Sequence, residues 1–345
     1  LKKETYYLEE VLFMAMTHRQ RVENALALQE TDRIPYSMWM HFPNRDRHPR
    51  RLAELSLANQ KKYDLDFIKF MPYGMYSTID YGIDLDLFPG FVDAPVAHKP
   101  FIENIEDWDK IRFLSGTSGE YTVVLEAQRL LFGMMNERIP FLQTVFSPMT
   151  TAAKLCSPAV LMKHITEDPC RVRRALEIIT ATTADFAKAA VSLGADGLFF
   201  ATQMSTRDAI DAASHDAFVR KYDFEVLDSV KGSTWFNVMH VHGANAMIRE
   251  VQDYPVHALS WHDRDDGPSM EEVRTYSDKA FIGGLSWGKN WLGKTNEEVV
   301  AEVRETAARN GGRGVILGPG CVIDPSTPEE RLQLVHKTVL ETAHL

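Results

Sequence analysis

The residues best equipped for chemistry are His240, His242 and Cys321. His240-Val241-His242-Gly243 closes a short β-type run, and strand side chains alternate faces with period two, so both imidazoles point the same way. Cys321 follows Gly318-Pro319-Gly320 at the end of another such run. Two imidazole nitrogens and one thiolate form a three-ligand zinc set with the fourth position open, the arrangement of a catalytic rather than a structural ion. The thiolate keeps the metal soft, which suits a second sulfur entering at the open position. A structural account of the same residues stands beside this one: the His-x-His pair as a packed, hydrogen-bonded feature, and Cys321 as a small buried apolar group. Cys156 and Cys170 fall in or beside helical stretches and read as structural; three cysteines are too few for a disulfide framework.

These residues need elements to position them. Eight β-type runs, at 34–40, 67–71, 140–146, 197–202, 234–241, 256–261, 280–285 and 314–317, alternate with helical stretches, notably 168–193, 214–231, 271–278 and 295–310. Strand and helix in turn imply parallel pairing, and eight such units close an α/β (β/α)8 TIM barrel. A doubly wound open sheet is the alternative; against it, no glycine-rich phosphate turn follows the first run, and Gly311-Gly312-Arg313-Gly314 precedes a strand instead of opening a helix. Residues 1–30 read as an N-terminal helical extension, with a helix over 17–28 behind a Thr17 cap, and 31–345 as a single barrel domain.

Barrel chemistry gathers where strands run out into the following loops. Those ends carry Trp39 and His41, then Tyr73, Gln203, and Asp263 in Trp261-His262-Asp263. The Arg-rich run 45–51, which begins with Arg45, is either a solvated face or an anion clamp. With 345 residues, 45% of them hydrophobic, the chain can bury a large core, which excludes disorder as its main state. The formal net charge of −10 excludes a broad electrostatic grip on nucleic acid or an anionic membrane. No apolar run approaches the roughly 20 residues of a spanning helix, and the first residues lack the long apolar middle of a signal peptide, so a cytoplasmic location is expected.

The chain resembles the uroporphyrinogen decarboxylase superfamily, and within it the corrinoid-linked branch of methylcobalamin:thiol methyltransferases. The landmarks are Arg19-Gln20-Arg21-Val22, Asp32-Arg33-Ile34-Pro35, Ser147-Pro148-Met149-Thr150, His240-Val241-His242-Gly243-Ala244-Asn245, Gly283-Gly284-Leu285 and the stretch from Gly318 to Glu329. Porphyrinogen decarboxylation is not what the resemblance implies. The Arg-Gln-Ala-Gly-Arg element of true decarboxylases is not intact here, since His41 takes its first arginine's place, and the decarboxylases' aspartate falls at Met71-Pro72. The methyltransferase branch carries zinc on a His-x-Cys pair and a later Pro-Gly-Cys cysteine; His240 and Cys321 match, while His242 replaces the middle cysteine. This exchange makes the ligand set more neutral and the metal more Lewis acidic.

The resemblance implies Zn2+ on His240, His242 and Cys321, a thiol or similar small acceptor, and a methyl group taken from methylcobalamin. No corrinoid-binding Asp-x-His-x-x-Gly motif occurs in the chain, so the corrinoid would arrive on a partner protein or as free cofactor. Tyr73 joins the catalytic set; Gln203, Asp263 and Trp39 would contact substrate, and His41 with Arg45 would hold an anionic tail. A metal-free decarboxylase or lyase acting on an altered substrate is the alternative function.

Overall fold

In the computed structural model, residues 15–86 and 96–344 are described, so residues 1–14 of the expected extension lie outside them. Seven strands form one sheet: β1 Ile68–Phe70, β4 Phe141–Phe146, β5 Gly197–Thr202, β6 Val238–Val241, β7 Ala258–Ser260, β8 Ala280–Leu285 and β9 Val315–Pro319, with every neighbouring pair parallel. A separate antiparallel hairpin, β2 Asp84–Asp86 with β3 Val96–Lys99, interrupts the numbering. The sheet strands are near-continuous apolar runs because both of their faces are covered, by helices outside and by side chains within.

Closure falls to the segment 34–40, the expected first strand. It lies parallel to β9 through bridges at Tyr36–Leu317 and Met40–Ile323, and Tyr36 accepts from Asp66 N–H beside β1 at 2.9 Å. It makes bridges rather than a ladder. Pro35 has no N–H to give, although its carbonyl accepts from Leu317 N–H at 2.8 Å. With this stave the sheet closes into the expected barrel-type α/β fold. Gly318 is required at the seam: a Cβ there would lie 2.8 Å from the Trp39 ring.

Helix α1, His18–Leu26, begins with the expected Thr17 cap, completed by Gln20 into a capping box. The stretch 168–193 forms Pro169–Ser192, capped by Asp168, and 295–310 forms Asn296–Ala308. The helix expected over 214–231 is instead Ala212–His215, a π turn over Asp216–Arg220, and Lys221–Asp228. Helices α2 Pro49–Tyr63, which absorbs the end of the Arg-rich run, and α3 Gly119–Met134 were not anticipated; nor was the short α4, Pro148–Leu155. Among the described residues no helix is long and apolar enough to cross a membrane.

Helix α1 seals the end of the barrel where strands begin. Its Val22 and Ala25 join Phe67, Phe236, Val238, Ala258, Ala280 and Ile316 in one core, with Trp39 and Phe199 above. Around this floor runs a charge network centred on the fully buried Asp66. Its carboxylate accepts from Arg21 Nη1 and Arg33 Nη1, each at 2.6 Å, and from Tyr36 N–H at 2.9 Å, with His18 Nδ1 at 3.1 Å. Arg21 also grips Asp32 at 2.6 Å. These partners hold Asp66 below the usual carboxylate range even though burial alone would raise it.

Candidate metal centre

At the opposite end, strand register stacks three tiers of inward side chains. Val238 pairs with Ala258 and His240 with Ser260, so the next inward residues, His242 and His262, meet side by side. Their ring centroids are 4.8 Å apart at 83°. His242 N–H still pairs with Thr202 O at 2.9 Å, and Gly243, at φ +112°, then turns the chain out of the barrel. From the far side, Gly320 N–H to Leu285 O at 2.9 Å holds the chain where Cys321 Sγ lies 3.3 Å from His242 Nδ1.

His240, His242, His262 and Cys321 each offer one donor atom, and all four atoms lie within 4.8 Å of one another. Two of the imidazoles are anchored from behind: His240 Nδ1 meets Ser260 Oγ at 3.2 Å, and His262 Nδ1 meets Asp266 Oδ2 at 2.7 Å. Such contacts fix ring orientation in metal sites and leave Nε2 to face the ion. Nε2 of His262 is buried without any hydrogen-bond partner, an unmet polar atom inside a cluster of metal donors. Burial pushes His240 far below the usual imidazole range and His242 down to about 4, and it lowers His262 against the pull of Asp266. All three rings are therefore neutral near pH 7, the form that binds metal. Burial pushes the Cys321 thiol up to about 11, with Lys69 opposing the rise; a bound cation would favour the thiolate. The donor set fits zinc in number and softness, and its three imidazoles fit in protonation state as well.

His262, which the sequence offers only as part of a strand end, supplies the fourth donor atom of the cluster. Lys69 is a further polar group that the strand pattern does not bring forward. It is buried in β1, its ammonium 4.6 Å from the Phe199 ring centroid and 5.8 Å from that of Trp39, and desolvation brings it down to about 7. A lysine in the middle of the otherwise apolar run Phe67-Ile68-Lys69-Phe70-Met71 was the available signal, because such strands are covered on both faces.

The structure brings His240, His242 and Cys321 together but scatters the rest of the expected site. Asp263 turns away from the mouth: Oδ1 accepts from Gly284 N–H at 2.9 Å and Oδ2 faces Arg309 at 3.3 Å. Its carboxylate is spent on joining β8 to the helix Asn296–Ala308, so the substrate contact expected of it gives way to a structural one. Trp39 is buried in the barrel interior against Phe199, 5.5 Å between centroids, below the donors. Tyr73 is buried with its hydroxyl unpartnered, near Arg47 and Glu120 rather than the cluster. His41 meets Asp46 at 3.1 Å, and Arg45 is exposed on the turn before α2, so the expected anion clamp is not assembled at the donors. Gln203 is exposed at the rim, its N–H tied to Thr150 Oγ1 at 2.8 Å.

Comparison with known proteins places this geometry in context. The family model described as Uroporphyrinogen decarboxylase (URO-D) matches residues 17–342. A curated relative, the methylcobamide:CoM methyltransferase MtaA of Methanosarcina barkeri, is 24% identical over 295 residues, spanning 85% of this chain and 84% of its own. The methylcobamide:CoM methyltransferase MtbA of Methanosarcina acetivorans is 21% identical over 341 residues, 92% of this chain and 96% of its own. Among solved structures, a methyltransferase from Methanosarcina mazei superposes with a TM-score of 0.82 at 22% identity, covering 94% of this chain and 99% of that one.

Proposed function

The chain belongs to the uroporphyrinogen decarboxylase family, and from that membership we propose that it is a zinc-dependent methyltransferase, moving a methyl group from a corrinoid to a thiol or similar small acceptor. The observation that carries this reading is the four-donor cluster at the barrel mouth, with His262 Nε2 buried and unpartnered within it. Its full-length likeness to relatives named as methylcobamide:CoM methyltransferases supports the same reading.

His240, His242 and Cys321 are the ligands of the ion, and His262 is the further donor beside them. Zinc, when bound, supplies the Lewis acidity that lets an acceptor sulfur react as thiolate near neutral pH. The chain's own groups prepare that chemistry. Ser260 and Asp266 keep two imidazoles in register, which raises their basicity as ligands. Trp287, 4.4 Å from the His262 ring and 5.5 Å from that of His242, walls off one side of the cluster from water. The buried Lys69 adds positive charge beneath it and favours the Cys321 thiolate. The corrinoid comes to the mouth on a partner protein or as free cofactor.

Elemental analysis of the purified protein, followed by assays with methylcobalamin and a panel of thiols, tests this. About one zinc per chain is expected, lost in Cys321→Ala and His242→Ala together with methyl transfer. A chain that neither carries nor takes up zinc sinks the proposal and turns attention to a metal-free lyase, and methyl transfer that survives full chelation sinks the zinc requirement.

A further inference from the structure

Of the three imidazoles in the cluster, two are held from behind, by Ser260 and Asp266, and the third is not. Nδ1 of His242 faces Cys321 Sγ at 3.3 Å, and among the described residues no other side chain hydrogen-bonds that ring. Its aim therefore depends on its backbone, at the last inward position before Gly243 turns the chain away. His242 N–H pairs with Thr202 O at 2.9 Å, so the end of β5 is what holds it.

The end of β5 is in turn held by a buried polar chain. Thr202 Oγ1 accepts from Met204 N–H at 3.3 Å and meets Ser205 Oγ at 3.0 Å, and Ser205 Oγ meets His215 Nε2 at 2.9 Å. Thr202 and Ser205 are fully buried, and His215 is 1% exposed. Burial lowers the His215 imidazole to about 4, so the ring is neutral near pH 7 and one of its nitrogens accepts. One polarity meets every proton in the chain: Met204 N–H to Thr202, Thr202 O–H to Ser205, and Ser205 O–H to His215 Nε2. The reverse polarity would bring Ser205 O–H and Met204 N–H onto Thr202 together and leave the Thr202 proton buried without an acceptor among the described residues. His215 Nε2 is thus the terminal acceptor.

The same loop fastens the chain beyond His242. Ser205 O accepts from Met247 N–H at 2.9 Å, Asn245 O accepts from Arg207 N–H at 3.0 Å, and Thr206 bridges to Ala246. The turn after β6 is thereby clamped to the turn after β5 along its length, with His242 at the first tie. His215 itself ends the short helix Ala212–His215, capped by Asp211, and the π turn over Asp216–Arg220 follows it directly. Such widened turns recur at functional sites.

We propose that His215 is a positioning residue of the metal site: through Ser205 and Thr202 it holds the end of β5, and so aims the His242 ring as Ser260 and Asp266 aim the other two. The inference rests on the zinc reading of the cluster for what His242 binds, and on hydrogen bonds for how His242 is held. Ser260 and Asp266 act on the rings they orient, whereas His215 acts through the main chain. Partners of this outer kind govern how tightly ligands hold their metal.

The test reads zinc affinity by chelator competition, the visible absorption of the Co2+-loaded protein, urea unfolding of the metal-free protein, and methyl transfer from methylcobalamin to a panel of thiols. Ser205→Ala removes the central hydroxyl and His215→Leu the terminal acceptor, so a fold defect in one leaves the other to decide. His215→Gln keeps an acceptor and Thr202→Ser keeps the hydroxyl. Asp263→Asn, which loosens a structural carboxylate beside the next strand end, is the control. Ser205→Ala and His215→Leu should weaken zinc binding by about tenfold to a hundredfold and shift the Co2+ bands. His215→Gln and Thr202→Ser should recover most of that affinity, and Asp263→Asn should keep wild-type affinity and bands even where its urea midpoint falls.

Wild-type zinc affinity and Co2+ bands in Ser205→Ala and His215→Leu overturn the positioning role, whatever happens to their urea midpoints. An equal loss of affinity in Asp263→Asn also overturns it, since loosening at either place would then suffice. In both cases a wild type that carries zinc leaves the metal centre standing. A wild type that takes up neither zinc nor Co2+ overturns both. Metal affinity that depends on His215 without methyl transfer supports the positioning role and overturns the methyl-transfer reading.

Discussion

The two ends of this barrel treat buried charge in opposite ways. At the floor, Asp66 is fully buried and every charge has its complement: two arginines, a backbone N–H and a histidine surround it, and Asp32 takes the other side of Arg21. At the mouth, three imidazoles and a thiol converge with an unpartnered nitrogen among them, and the buried Lys69 beneath pairs with no carboxylate among the described residues. Both ends are rich in groups that sequence inspection associates with catalysis. The difference is satisfaction. A completed network does structural work, whereas polar atoms left without partners describe the outline of something that binds.

Mutations can break that contrast. The largest effect is expected at the mouth and concerns metal rather than folding: Cys321→Ala or His240→Ala should weaken zinc binding by a thousandfold or more, roughly 4 kcal/mol, read by competition with a chromogenic chelator. The metal-free form of His242→Ala should meanwhile unfold within about 1 kcal/mol of wild type in urea, since that half-buried ring completes no buried network. At the floor the pattern inverts. Asp66→Ala leaves two buried guanidinium groups uncompensated and should cost about 3–5 kcal/mol of stability by the same urea titration. Equal stability losses at the two ends would erase the distinction.

Acid should separate the two ends as well. The imidazoles at the mouth have folded pKa values below their unfolded value, so the unfolded chain binds more protons and stability falls as pH drops. For His242 this occurs between about 6.5 and about 4 and amounts to roughly 1–2 kcal/mol once its partial exposure is discounted. Asp66 is likewise lowered, so its contribution is complete above the unfolded carboxylate pKa of about 3.9 and is lost only as pH falls through its lower folded value. Metal-free protein should therefore lose stability in two stages, with the upper stage reduced in His242→Ala; urea midpoints measured from pH 8 to 3 would show a single stage if this is mistaken. The smallest effect is expected for Asp263→Asn, about 1 kcal/mol of stability with zinc content unchanged, because its carboxylate joins Gly284 and Arg309 instead of facing the mouth.

How much of this could be read from the residues follows from the same geometry. Period-two alternation was enough to aim His240 and His242 together, and a shared barrel mouth was enough to bring Cys321 to them. His262 escaped because its place depends on the register between two neighbouring strands, Val238 with Ala258, which no single segment encodes. Asp263 follows for a related reason: it lies one residue past the inward-facing His262, on the side that meets β8 and Arg309. Arg21, Asp32 and Arg33 show a different limit. They are landmarks of the resemblance, but nothing in their spacing shows that they surround Asp66, which the fold brings to them at the floor. Ser147-Pro148-Met149-Thr150 is likewise a helix start, Ser147 capping α4 and Thr150 receiving Gln203 N–H. The hairpin β2–β3 carries a short, polar alternation that a period count does not separate from a loop.

The floor sealed by α1 also sets the traffic of turnover. With Val22 and Ala25 closing one end and Phe199 and Trp39 filling the interior above them, the described residues block approach to the cluster from the floor. On the proposed methyl-transfer reading, a small acceptor and a larger corrinoid would both approach from the mouth, the acceptor entering first and the methylated product leaving last. Initial rates with a protein-bound methyl donor should accordingly follow a compulsory order, with a dead-end thioether competing against the thiol and not against the donor.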